Sequence, residues 1–224
     1  MRKIRLLFCF ILLCPSVWAQ NQETPKQTTI QFGFRAGLNG SKTSEGFGPA
    51  ATTKDPSLKL GLLAGVAVQV PLSAALRLQP ELYYSREGSL QEGLIGSTSG
   101  NNYVLVFTTR LHYINLPVLL QYNKGTGFYA ETGPQLGFLL DAQLKNEFPP
   151  AGQPKETKIK DLSGTNLQSP SFSWVAGTGY TFASGIGVGL RYTAGLSNYV
   201  TGTNEQKVNN IQLHLLYWFG KKSK

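Results

Sequence analysis

The sequence predicts an all-β protein, an eight-stranded antiparallel up-and-down transmembrane β-barrel. Three observations predict it. Eight segments from residue 30 onward alternate polar and apolar residues with a period of two. The links between them alternate strictly between short and long. No stretch after residue 20 reaches the ~20 apolar residues of a spanning helix. A membrane chain without such a helix must pair all its backbone groups in a closed sheet, because hydrocarbon offers them no partner.

The N-terminus reads as a secretory signal. Arg2, Lys3 and Arg5 precede an apolar run from Leu6 to Leu13, and Val17-Trp18-Ala19 suits signal-peptidase cleavage after Ala19. The run is too short for a membrane anchor. A lipoprotein reading would lipidate Cys14, but Leu13 is larger than the residue such a site favours before its cysteine. The expected organisation is therefore a signal peptide over 1–19, a short segment over 20–29, a barrel over 30–219 and a basic tail over 220–224.

Both cysteines, Cys9 and Cys14, fall inside the signal. A mature chain of about 205 residues then has no disulfide, thiolate metal site or cysteine nucleophile. Removing the three signal cations from 21 leaves 18 basic against 12 acidic residues, a net charge of about +6. For a secreted chain this favours anionic lipopolysaccharide or surface polymers as partners, and no nucleic acid is expected.

In the first strand Ile30, Phe32, Phe34, Ala36 and Leu38 share one face, with Gly33, Arg35, Gly37 and Asn39 on the other. The second sets Leu58, Leu60, Leu62, Ala64, Val66 and Val68 against Lys59, Gly61, Leu63, Gly65, Ala67 and Gln69. The third opposes Leu76, Leu78, Leu82 and Tyr84 to Arg77, Gln79, Glu81, Tyr83 and Ser85. The fourth, from about Tyr103 to Tyr122, has an unsettled parity, and a bulge is expected near Pro117 because proline cannot donate to a ladder. The fifth places Glu131, Gly133 and Gln135 opposite Ala130, Pro134 and Phe138. The sixth opposes Phe172, Trp174 and Tyr180 to Ser173, Gly177 and Gly179. In the seventh, Leu190, Tyr192 and Ala194 face away from Arg191 and Gly195. The eighth opposes Ile211, Leu213, Leu215, Tyr217 and Phe219 to Gln212, His214, Leu216 and Trp218. Each of these segments is long enough for the ~9–11 residues a tilted spanning strand needs.

Short turns are expected at 71–74, 123–127 and 183–185, and long links at roughly 40–57, 86–102, 141–170 and 198–207. Outer-membrane barrels sort their connections this way, with the short turns in the periplasm. The longest link, with Pro149, Pro150, Pro154 and Pro170, is expected to carry no regular structure. Aromatic residues gather near both strand ends, as interfacial girdles do.

The string from Leu111 to Tyr122, which contains Tyr113 and Pro117, resembles the fourth-strand motif of the porin-like, PorT-like outer-membrane β-barrel family of Bacteroidetes. Asn115 stands where that motif carries an acidic residue. Gly133-Pro134, Arg191-Tyr192 with Gly195, and the closing Tyr217 and Phe219 match the same family in order and spacing. The resemblance covers about 30–219. It implies an eight-stranded barrel in the cell outer membrane, inserted by the barrel-assembly machinery, in a family with one branch serving gliding-associated protein secretion.

An eight-stranded lumen is only wide enough for side chains to fill. The polar face predicts a lumen charge network of Arg35, Lys59, Arg77, Glu81, Glu131, Arg191 and His214, joined by Gln69, Gln79, Gln135 and Gln212. Mutual neutralisation by these groups would plug the lumen. The expected function is accordingly a non-enzymatic structural or binding role, through extracellular loops or within an envelope complex. A small-solute pore or secretion-associated barrel is the alternative, although open pores generally use ~16 strands or more. A periplasmic lipocalin-like carrier is the third reading, and it requires the opposite facing of polar and apolar residues.

Catalysis would need a nucleophile, a base and an orienting group. His112 near the outer rim, with Ser85, Ser89 or Ser97, could form an acyltransferase- or deacylase-like site, but no spacing selects one serine. His112 and His214 are isolated and the carboxylates scattered, so neither a metal site nor a cofactor is expected. Gly177-Thr178-Gly179 opens no helix and is not a phosphate loop; its glycines are expected to make room for bulky inward neighbours.

Overall fold

A computed structural model describes residues 29–43, 57–98, 101–123, 125, 127–147, 155–159, 169–198 and 207–219. The expected signal peptide over 1–19, its expected cleavage site and the expected basic tail over 220–224 lie outside them. The described residues form nine strands: β1 (Gln31–Thr43), β2 (Ser57–Pro71), β3 (Leu76–Thr98), β4 (Asn101–Tyr122), β5 (Phe128–Glu147), β6 (Lys155–Ile159), β7 (Ser171–Thr181), β8 (Ile186–Gly195) and β9 (Val208–Trp218). Eight of them close into one antiparallel barrel. Each of these pairs with its barrel neighbours in sequence, β5 passes on to β7, and β9 pairs with β1 to seal the wall. Closure leaves the barrel no free edge.

The alternation read from the sequence becomes the two faces of this wall. Phe34, Leu38, Leu62, Val66, Leu116, Val118, Leu190, Leu213 and Leu215 are exposed on the outside, whereas Arg35, Gln69, Gln79, Glu81, Glu131 and Gln212 are buried within. A lipocalin-like carrier needs the reverse. The apolar exterior therefore overturns that reading.

The short turns fall where expected, between β2 and β3, β4 and β5, and β7 and β8. Gly127 and Gly185 have φ of 89° and 88°, which a residue with a Cβ adopts only at a cost. Aromatic rings stack beside this end: Phe128 meets Tyr180 edge-on at 4.7 Å, Tyr180 meets Phe182 at 4.9 Å, and Tyr217 meets Phe219 at 5.4 Å.

The far end departs from the sequence reading. The expected link over 86–102 is mostly ladder, because β3 runs on to Thr98 and β4 begins at Asn101. Similarly, the expected structureless link over 141–170 contains the end of β5 and all of β6, which pairs with it from Ala142↔Ile159 to Asn146↔Lys155. A ladder wet on both faces needs no polar–apolar alternation, so the pattern that marks a lipid-facing strand stops before the strand does.

The expected bulge near Pro117 is also displaced. β4 keeps one parity from Thr109 to Asn123, with Pro117 buried on the inside. The extra residue is Leu140 on β5, where the pairing steps from Tyr113↔Leu139 to His112↔Asp141. Pro117 is accommodated in register opposite Gln135.

Candidate functional site

Polar side chains converge at mid-barrel. Arg35 of β1, Glu81 of β3, Glu131 of β5 and Arg191 of β8 are 0%, 4%, 4% and 2% exposed. They point inward because each sits on the odd-numbered face of its strand, and the register brings the four to one place. Arg35 Nη1 donates to Glu81 Oε2 at 2.6 Å. Arg191 grips the same carboxylate through Nη1 and Nη2, both at 2.7 Å, and reaches Glu131 through Nε and, at 3.1 Å, through Nη2. Two cations and two anions thus cancel in a space where an unpaired charge would be costly.

Amides and rings occupy most of the lone pairs and protons that the ions leave, with Arg35 Nε the exception among the cluster's ionic groups. Gln79 Nε2 donates to Glu81 Oε1 at 2.7 Å, and Gln212 Oε1 accepts from Arg35 at 2.5 Å. The Arg35 guanidinium lies 4.7 Å from the centre of the Tyr83 ring, a cation–π distance. His214 Nδ1 is 3.3 Å from Arg35 Nη2 and accepts from it. Gln69 donates to Gln79 at 3.0 Å and to Gln121 at 2.7 Å. A second layer stands above: Tyr83 donates to Gln135, Gln135 to Asn115, Asn115 to Ser85, and Ser85 to Glu87. The cavity beside this layer holds about 20 Å³, roughly the room one water needs.

Glycines make room for the cluster, as the sequence reading expects. A Cβ on Gly177 would lie 2.8 Å from Arg191 Cγ and 3.0 Å from Glu131 Oε1. One on Gly179 would lie 2.4 Å from the Tyr129 hydroxyl. A larger residue at 177 would displace the ions, and one at 179 would displace the Tyr129 ring.

Two residues of the expected network stand apart. Lys59 is half-buried towards the outer end, and its Nζ donates to the Thr109 carbonyl at 2.7 Å. Arg77 lines a depression by the short turns with Asn123 and Thr181. Each faces inward as its parity demands, but strand position puts them at opposite ends. Sequence reading omitted Tyr83, Asn115 and Glu87 from the network. Glu87 escaped because the strand's continuation past Ser85 was read as a loop, and Asn115 because the parity of the fourth strand was unsettled.

The rim site divides across the wall. Ser85 and Ser89 are buried towards the lumen, whereas His112 faces outward with its Nδ1 hydrogen-bonded to the Tyr84 hydroxyl at 2.5 Å. These serines and His112 share no site, and the Ser97 side chain lies outside the described residues. Among the described residues no group of three His, Cys, Asp or Glu side chains could hold a metal ion.

The residues of the family motif are spread through this frame. Tyr113 and Pro117 are buried inside β4, and Gly133 lets β5 lie close to Val118 of β4, whose carbonyl would meet an added Cβ at 2.1 Å. Pro134, Tyr192, Tyr217 and Phe219 face outward, Arg191 is in the ion cluster, and Gly195 ends β8.

Three solved structures illustrate what the chain is similar to in shape. Neisserial surface protein A shares 11% identity over 85% of this chain and 99% of its own, with a TM-score of 0.46. The attachment invasion locus protein Ail of Yersinia pestis, solved with the heparin analogue sucrose octasulfate, shares 13% over 86% and 100%, with a TM-score of 0.39. The translocator domain of the autotransporter NalP from Neisseria meningitidis shares 12% over 86% and 89%, with a TM-score of 0.35. No curated protein sequence matches the chain. Residues 18–200 match the model of the outer membrane protein β-barrel domain, and the chain therefore belongs to that family.

Proposed function

We propose that this barrel is a non-enzymatic outer-membrane scaffold with a plugged lumen, acting through its extracellular extensions on surface partners or within an envelope complex. The ion cluster carries the reading. Glu81 alone joins Arg35 from β1 to Arg191 from β8 across the interior, and Glu131 ties Arg191 to β5. A conducting path would have to part these pairs. The long β3–β4 ladder and the β5–β6 extension are the surfaces such a scaffold offers.

Conductance separates this role from a small-solute pore or a secretion-associated channel. Purified barrel added to a planar lipid bilayer is expected to leave the current at baseline. Reproducible unitary steps from folded, heat-modifiable protein would replace the scaffold with a pore.

A further inference from the structure

The outer wall carries a hollow that the lumen reading does not use. A barrel is convex outside, so a hollow there needs small residues among large ones. Ala36 and Ala64 are cross-strand partners, flanked in the same row by Leu215 and Tyr84. With Leu38 and Leu62 in the next row they border an apolar groove of about 680 Å³. That volume lies within the roughly 300–1,000 Å³ of small-molecule sites.

The groove slopes through the membrane because the strands tilt. At its low end Val188 is two residues past the start of β8 at a periplasmic turn. At its high end Tyr84 is eight residues, and Arg86 ten, past the start of β3 at another such turn. At about 3.4 Å per residue and a tilt near 40°, Arg86 stands roughly 26 Å above the turn, at the upper limit of an apolar band of about 25 Å.

Cations gather at that height. Arg86 is exposed and pairs in register with His112, while Arg110 lies two residues further up β4. Lys59, on the lumen side of the wall, is close enough to feel the charge of both Arg86 and Arg110. His112 spends Nδ1 on Tyr84, and its Nε2 has no partner among the described residues. Asp141 flanks His112 from β5 and accepts from Gln143 at 2.9 Å.

We infer that this wall binds one phosphorylated glycolipid of the outer leaflet, of the lipid A class, with an acyl chain in the Ala36–Ala64 groove and a phosphate on Arg86 and Arg110. An apolar slot that starts beneath a cation pair at the headgroup level matches an anionic lipid in both parts. A flat protein partner would use the groove and leave the cations unmatched. The inference rests on the membrane placement of the barrel, not on a plugged lumen, so conductance would leave it standing.

The test is native mass spectrometry of the folded barrel in an uncharged detergent, titrated with bisphosphorylated lipid A and with its dephosphorylated form. The wild type is expected to retain one bisphosphorylated lipid and to hold the dephosphorylated form about thirtyfold more weakly, given roughly 1 kcal/mol for each of the two basic residues near an anionic surface. Arg86→Gln with Arg110→Gln should weaken lipid A binding about tenfold or more. Ala36→Leu with Ala64→Leu fills the groove from outside the lumen and should weaken both lipids. Heat-modifiable migration checks each variant's fold, and Ala64→Val alone serves if the double replacement does not fold. Unchanged lipid A binding by folded variants would overturn the inference. So would equal affinity for the two lipids, or a dimer that dissociates when the groove is filled.

Discussion

Arg191 holds Glu81 by two parallel hydrogen bonds of 2.7 Å, although 110 residues separate them in the chain. The pair spans the lumen from β8 to β3, which are not neighbours in the wall. A bidentate guanidinium–carboxylate contact fixes both side chains in orientation as well as in charge. Breaking such a buried pair from one side strands a charge.

Glu81→Ala therefore leaves two arginines to share Glu131, and it should cost about 3–5 kcal/mol of stability. Arg191→Ala should cost a similar amount by stranding Glu81 and Glu131. The double variant should lose clearly less than the sum of the two. Urea unfolding in lipid vesicles measures all three, and additive losses would show that the residues do not act as a unit.

Gly189 approaches two rings: a Cβ there would lie 2.6 Å from both His214 Nε2 and the Tyr129 hydroxyl. Gly189→Ala should thus overpack the lumen and cost about 1–3 kcal/mol. The same unfolding assay checks it, and a neutral result would mean that these rings move freely.

Depth sets the cost of a charge on the outer wall. Leu213 lies mid-strand on β9, and Leu213→Arg should cost about 2–4 kcal/mol, the range for the bilayer midplane. Leu58 sits at the outer end of β2, above the apolar band, and Leu58→Arg should cost about 0–1 kcal/mol. Equal costs would contradict the membrane placement.

The ladder above the apolar band has no lipid to face. Replacing residues 92–105 with a short Gly-Ser turn should leave the heat shift intact and the unfolding midpoint nearly unchanged. Loss of the folded band would make that extension part of the barrel's stability rather than a surface for partners.

The sequence made the barrel legible wherever lipid and lumen impose opposite demands on neighbouring residues. Gln212, His214 and Leu216 alternate with Leu213 and Leu215, and the structure keeps each on the expected side. Legibility ended where that contrast did. Beyond Arg86 the alternation of polar with apolar residues stops, so the outer half of β3 resembled a loop. The bulge at Leu140 was hidden because Leu139 and Leu140 are the same residue, so neither polarity nor size marks which one is extra. The site was legible in kind but not in height: parity turned seven candidate groups inward, yet only register shows that Arg35, Glu81, Glu131 and Arg191 meet while Lys59 and Arg77 stay at the ends.

The most direct test of a filled polar lumen inside an apolar wall is single-cysteine accessibility. The chain from Gln20 onward contains no cysteine, so in protein beginning at Gln20 each introduced thiol reports alone. Ser85→Cys and Ser173→Cys place a thiol in the lumen, and Leu215→Cys and Val118→Cys place one outside. In vesicles the outer pair should react with a lipid-soluble maleimide and resist a water-soluble one, while the lumen pair should resist both. Rapid reaction of Ser85→Cys with the water-soluble reagent would contradict the plugged lumen, and its reaction with the lipid-soluble reagent alone would contradict the facing of the strands.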